Sequence, residues 1–199
     1  NMIAKKKAKL VHSVDYSSQA IKIAKKRFGS KKNILFELAD ATKVKRKYDV
    51  IVMSGVLEHI DDPFGMLRKM LKFNLNTNGM IVFLSPSFMN PRGYVWMTLQ
   101  ILLDVPMSLT DINFFSQTDI AKFSKKNNCS LDFTTIAQDW GGGKKTIKDF
   151  NKRLVNALRD AKLNNKKVKP FLAWLEDAIK YFNHNNDSGA LMICKLKKR

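Results

Sequence analysis

Four side chains capable of chemistry stand where apolar runs of this chain give way to polar ones. Val11-His12-Ser13-Val14 ends on Asp15, and Ile34-Leu35-Phe36-Glu37-Leu38-Ala39 ends on Asp40. A third such run, Asp49-Val50-Ile51-Val52-Met53, passes through Ser54-Gly55-Val56-Leu57 to the pair Glu58-His59. Acids at two neighbouring strand tips suit a nucleoside, one for ribose hydroxyls and one for an adenine amino group. An imidazole beside a carboxylate suits a general base that takes a proton from a hydroxyl, or part of a divalent-metal site. Each residue also has a plainer reading. Asp15 fits the N-terminal dipole of a following helix, Asp40 fits the start of a turn, and the Leu57-Glu58-His59 triplet fits a loop-organising role.

Positioning these residues requires short buried strands that each hand over to a helix. The spacing predicts strands at 10–14, 33–37, 48–53 and 80–84, the strand at 48–53 being buried. Ser17 caps a helix over 18–28 whose inward face is Ala20, Ile21, Ile23, Ala24 and Phe28. Asp62 with Pro63 opens a helix that runs to about residue 75 and stops at Asn76-Thr77-Asn78-Gly79. Ser116 and Asp119 make a capping pattern for a helix over 117–127. A strand over 131–137, two amphipathic helices near 146–163 and 170–183, and a closing strand over 188–196 complete the chain. Gly141-Gly142-Gly143-Lys144 has neither phosphate-loop nor dinucleotide-loop spacing and reads as a flexible turn.

This ordered set resembles the core of a class I S-adenosylmethionine-dependent methyltransferase of the small-molecule type 11/23 group. The likeness is carried by Val14-Asp15-Tyr16-Ser17, Ala39-Asp40-Ala41, Asp49-Val50-Ile51 with Val56-Leu57-Glu58-His59-Ile60, and Asn78-Gly79-Met80. It runs from about residue 2 to 137, with a looser match at the final strand. The fold it implies is α/β, a Rossmann-like doubly wound sheet, mostly parallel with an antiparallel last strand and a helical insertion at 141–187 before it. The implied organisation is one domain over 1–199, with a lid-like insert at 91–109. The family's first strand and glycine-rich loop should lie before the helix tail at 2–8, so an N-terminal truncation is expected, and with it weak cofactor binding by this stretch alone.

The resemblance also implies site roles. Asp15 meets the ribose hydroxyls of S-adenosylmethionine, Tyr16 stacks on the adenine or covers the edge of the core, and Asp40 with the Ala41 N–H meets the adenine edge. Backbone at Ser54 meets the methionine part. Catalytic work falls to His59 and Glu58, and no metal site is assigned. The order Asn90-Pro91, Tyr94, an apolar run to Pro106 and Phe114-Phe115 loosely resembles the ubiquinone-pathway O-methyltransferases, which implies a small or lipid-like acceptor. An insert of that kind would place Trp96, Leu99, Leu102 and Leu103 at a membrane surface, or pack them as an ordinary lid.

Composition sets the outer bounds. The chain has 199 residues, 45% hydrophobic, enough for a layered core. Its only cysteines are Cys129 and Cys194, with no CxxC pair, so neither a disulfide framework nor a cysteine-rich zinc site is indicated and a reducing cytoplasm fits. No apolar run is long enough to span a bilayer. The formal charge of +19 raises an RNA or protein substrate as an alternative, but the lysine runs are scattered over many elements, as solvated helix faces in a Lys- and Asn-rich chain would be. A non-catalytic methyltransferase-like module is the other alternative. Ser54-Gly55-Val56-Leu57 stands where amino-group methylases of nucleic-acid bases carry an Asn/Asp-Pro-Pro-aromatic tetrad, and neither cysteine follows a proline. Both base-directed chemistries are thereby disfavoured.

Overall fold

A computed structural model describes residues 8–108 and 110–199, which form two compact units, one up to Lys47 and one from Tyr48 onward. The helix tail expected at 2–8 falls, apart from Ala8, outside the described residues.

The first unit is a strand–helix–strand. Strand β1 (Val11–Asp15) and strand β2 (Ile34–Leu38) pair in parallel from Val11↔Ile34 to Asp15↔Leu38. Helix α1 (Ser18–Phe28) joins them. Its N-cap Ser17 accepts a 3.2 Å hydrogen bond from the Ala20 amide, and Lys25, Lys26 and Arg27 complement the negative end of the helix dipole. Of the expected inward face only Ile21 is fully buried within this unit. After β2 the chain makes a 3-10 turn, Ala41–Lys43, that begins at Asp40.

The second unit is a four-stranded sheet with helices. Its strands are β3 (Tyr48–Ser54), β4 (Leu75–Pro86), β5 (Cys129–Ile136) and β6 (Leu191–Lys198), in spatial order β3-β4-β6-β5. β3 and β4 are parallel, and β6 runs antiparallel to both β4 and β5, as expected for the last strand. The ends of β3, β4 and β5 and the start of β6 therefore share one edge, with Pro86 and Ile136 both in register with Leu191. Open α/β sheets offer ligands a crevice at this carboxyl edge.

Helix α2 (Pro63–Lys69) starts at Asp62, whose side chain accepts from the Gly65 amide at 2.7 Å, and continues through a π-helical turn, Met70–Asn74. The stop expected at 76–79 is a bulge on β4: pairing jumps from Tyr48↔Leu75 to Val50↔Met80, and Asn78 takes φ of 65°. β3 is less buried than its apolar run suggests. Val50 and Val52 are each 47% exposed because nothing in this unit covers their face. Helix α4 (Gln117–Lys126) carries the expected capping box, with Ser116 and Asp119 bonded reciprocally.

Residues 91–107 form helix α3 (Pro91–Met97), a π-helical turn (Thr98–Leu102) and a return loop, and they pack against the insertion rather than standing apart. The insertion supplies a short helix α5 (Gln138–Gly142) and two longer ones, α6 (Lys144–Asp160) and α7 (Val168–Ala178). Trp96, Leu99, Val105, Phe150, Leu154 and Leu172 make one buried cluster. Each such side chain contributes about 1.5–3 kcal/mol by leaving water. This corrects the membrane-facing expectation for Trp96 and Leu99, which are core residues, while Leu102 and Leu103 remain exposed. It also corrects the triple glycine. Gly141 and Gly142 are buried in α5, and a Cβ on Gly141 would sit 2.5 Å from the Ser188 carbonyl oxygen. Close backbone approach, not flexibility, requires glycine there. Among the described residues no helix is long and apolar enough to cross a membrane.

Candidate functional site

In the first unit the two strand-tip acids lie on one edge of the β1–β2 pair, where the Ala39 amide donates to the Asp15 carbonyl. Asp15 Oδ1 accepts a 2.8 Å bond from the Ser17 amide, which aims the carboxylate across the start of α1. Its Oδ2 makes no hydrogen bond among the described residues. Tyr16, next to it, is 88% exposed within this unit and covers no core. Asp40 caps the 3-10 turn, its Oδ1 accepting from the Thr42 amide at 2.8 Å and the Thr42 hydroxyl at 2.6 Å. Those bonds, the hydroxyl first, hold its carboxyl below the ordinary range, with Lys43 adding to them. Ala41 begins the turn. The turn reading of Asp40 is thus satisfied, and its Oδ2, 3.7 Å from Lys43, remains outward.

In the second unit Ser54 ends β3, paired with Leu84, and Gly55 follows with φ of 64°, a conformation that favours glycine. The sharp turn sends the chain into the 3-10 turn Leu57–His59. Glu58 points inward: it is 5% exposed and its Oε2 accepts from the buried Ser85 hydroxyl on β4 at 3.1 Å. Its carbonyl accepts from the amides of Ile112 and Asn113, at 2.9 and 3.1 Å, and the Asn113 side chain donates to the Ile60 carbonyl at 2.6 Å. Glu58 therefore ties the turn to β4 by its side chain and to segment 110–113 by its backbone.

His59 points the other way. Its Nδ1 lies 2.8 Å from the Thr110 carbonyl oxygen and 3.5 Å from Asp111 Oδ1, and the ring is 40% exposed. A carbonyl can only accept, so the neutral ring carries its proton on Nδ1 and leaves Nε2 as an acceptor. Asp111 is placed to stabilise the cation that forms if Nε2 takes a proton.

Asp111 also lines a cavity of about 300 Å³ at the carboxyl edge of the sheet, between the ends of β4 and β5 and the start of β6. Its other walls include Phe88, Trp96 and Trp140, with Arg92 and Arg153. Burial pulls the Arg92 guanidinium below its ordinary range, and Asp149 partly restores it. Sequence reasoning missed Ser85, Arg92, Thr110, Asp111, Asp149 and Arg153. The one signal for any of them was the four-residue spacing of Asp149 and Arg153 on an amphipathic helix.

Residues 2–132 match the model of a family described as a methyltransferase domain. The chain belongs to that family. Among curated proteins, the methyltransferase domain is 32% identical over 145 residues to the ubiquinone biosynthesis O-methyltransferase of Pelagibacter ubique (strain HTCC1062). That match takes in 65% of this chain and 59% of the relative, so the chain spans less than two thirds of the relative's length. Solved structures share the fold. A coclaurine N-methyltransferase bound to N-methylheliamine and SAH aligns at a TM-score of 0.59 with 16% identity, covering 99% of this chain and 63% of that one. A mycolic acid cyclopropane synthase complexed with SAH and CTAB aligns at 0.59 with 13% identity, covering 98% and 72%.

Proposed function

We propose that the protein transfers a methyl group from S-adenosylmethionine to an oxygen of a small-molecule acceptor. The reading rests first on His59. The Thr110 carbonyl fixes its Nδ1 proton, which leaves Nε2 ready to take the proton of an acceptor hydroxyl. Membership of the methyltransferase-domain family and the likeness to an O-methyltransferase support it, and a cavity of about 300 Å³ suits a small molecule.

When bound, S-adenosylmethionine supplies a methyl group activated on a sulfonium. The first unit has groups that fit its nucleoside. Asp15 keeps Oδ2 open at a strand tip for ribose hydroxyls, Tyr16 presents an exposed ring beside it for the adenine, and Asp40 with the Ala41 amide suits the adenine edge. His59 would take the proton of the acceptor hydroxyl on Nε2, and Asp111 would steady the resulting imidazolium. Glu58 holds the turn in place instead of exchanging protons, because its carboxylate is buried against Ser85. Methyl transfer is an in-line displacement, so positioning supplies most of the rate.

The test is transfer of label from methyl-labelled S-adenosylmethionine to a panel of phenols and matched anilines by the full-length protein. Label on phenol oxygens, reduced roughly a hundredfold to ten-thousandfold in His59→Gln, supports the reading. Label on anilines alone, unaffected by His59→Gln, overturns it.

A further inference from the structure

The cavity beside Asp111 has a charge pattern that selects its occupant. Arg92 and Arg153 share a single carboxylate, that of Asp149, which is 8% exposed. Arg92 donates to Asp149 Oδ2 from Nε and Nη2, both at 3.2 Å, and Arg153 donates to Oδ1 from Nε at 2.9 Å. Arg153 Nη1 reaches the Met107 carbonyl at 3.3 Å. Arg92 Nη1 and Arg153 Nη2 have no hydrogen-bond partner among the described residues. Both guanidiniums stand over the Trp96 ring, at 4.3 and 5.6 Å from its centre, which holds them in fixed positions. The fourth charged group, Asp111, lies 3.5 Å from His59 Nδ1 and acts on Arg92 through its charge without an ion pair to either arginine.

Arg92 is largely buried and Arg153 half exposed, and each keeps one guanidinium nitrogen that a bound anion could take as donor. The guanidinium fork matches a carboxylate in two-point geometry. The remaining wall is largely apolar and includes the rings of Phe88 and Trp140, which suit the face of a flat ring. We propose that this cavity takes an aromatic carboxylate, with the carboxylate on Arg92 and Arg153 and the ring against the aromatic wall. The inference deepens the reading of the chain as a small-molecule methyltransferase and rests on it for the role of the occupant as acceptor. It makes Arg92 and Arg153 specificity-determining residues.

The experiment is saturation-transfer NMR and calorimetric titration of the full-length protein with benzoate and with its neutral isostere benzamide, without S-adenosylmethionine. Benzoate is expected to bind at least tenfold more tightly than benzamide. Arg153→Gln should bring benzoate down to the benzamide level, and Arg153→Lys, which keeps the charge and loses the fork, should fall between. Arg153 is half exposed near the middle of α6, and circular dichroism checks that each variant folds. Equal binding of benzoate and benzamide, no binding of benzoate, or full benzoate affinity in Arg153→Gln each overturns the proposal. Tighter binding of phenyl phosphate than of benzoate overturns the carboxylate assignment. Because no turnover is read, this result stands apart from the functional reading, which the labelled phenol and aniline panel tests separately.

Discussion

His59 Nδ1 sits 2.8 Å from the carbonyl oxygen of Thr110, a residue 51 positions away. This contact fixes the tautomer of the neutral ring and leaves Nε2 as an acceptor, which is what the proposed role of His59 as a general base requires. His59→Gln should lower kcat by roughly a hundredfold to ten-thousandfold while leaving the affinity for S-adenosylhomocysteine unchanged. Steady-state kinetics with a phenolic acceptor, paired with calorimetry, checks both halves.

Glu58 and Ser85 make a second prediction, about stability. Ser85→Ala removes the hydroxyl that the buried Glu58 carboxylate accepts from, and leaving such a group short of a partner costs about 1–3 kcal/mol. Urea denaturation should show this loss with an unchanged slope. A loss below about 0.5 kcal/mol would mean that the surrounding backbone already satisfies Glu58.

The capping box of α4 adds a pH signature. The Ser116 amide, donating to Asp119, is the main cause holding that carboxyl below its ordinary value of 3.8. A depressed carboxylate stabilises the fold above the unfolded pKa, and the contribution fades as pH falls through the folded one. Wild type should therefore exceed Asp119→Asn in stability at neutral pH, and the gap should close below about pH 4. Asp119 is only partly buried, so the gap stays under about 1 kcal/mol. Ser116→Ala should cost about 0.5–2 kcal/mol at neutral pH.

Both thiols should be silent. Cys129 and Cys194 are buried, and burial pushes the Cys194 thiol up to about 12. A disulfide reagent at pH 8 should label neither until denaturant is added. Rapid labelling of the native protein would show that β5 or β6 opens locally.

Much of the fold was legible because its signals are local. Ser17, Asp62 and Ser116 cap their helices where the sequence puts them, and the apolar runs before Asp15, Asp40 and Ser54 are strands. What stayed hidden depends on distant pairing. The Asn76–Gly79 stop is a bulge only because β3 passes beside it, with the Asn76 side chain on Asp49 at 2.9 Å. Gly141 needs its small size only because the Ser188 backbone crosses it. Trp96 and Leu99 look the same in sequence whether they meet lipid or core, and it is Phe150, Leu154 and Leu172, more than 50 residues on, that decide. The candidate site divides in the same way. Strand tips mark Asp15 and Asp40 as candidates, and the turn after β3 marks His59, whereas Asp111 and Arg92 carry no local pattern.

The most direct test of the account is calorimetric titration of the full-length protein with S-adenosylhomocysteine, wild type against Asp15→Ala. The Asp15 carboxylate has one oxygen on Ser17 and one open, and loss of charged hydrogen bonds to ribose should weaken binding by about 1.5–3 kcal/mol. That is roughly a tenfold to hundredfold rise in Kd. Saturable binding by wild type, weakened to this extent in the variant, is the predicted result. Wild type that fails to bind, or a variant that binds as tightly as wild type, would contradict it.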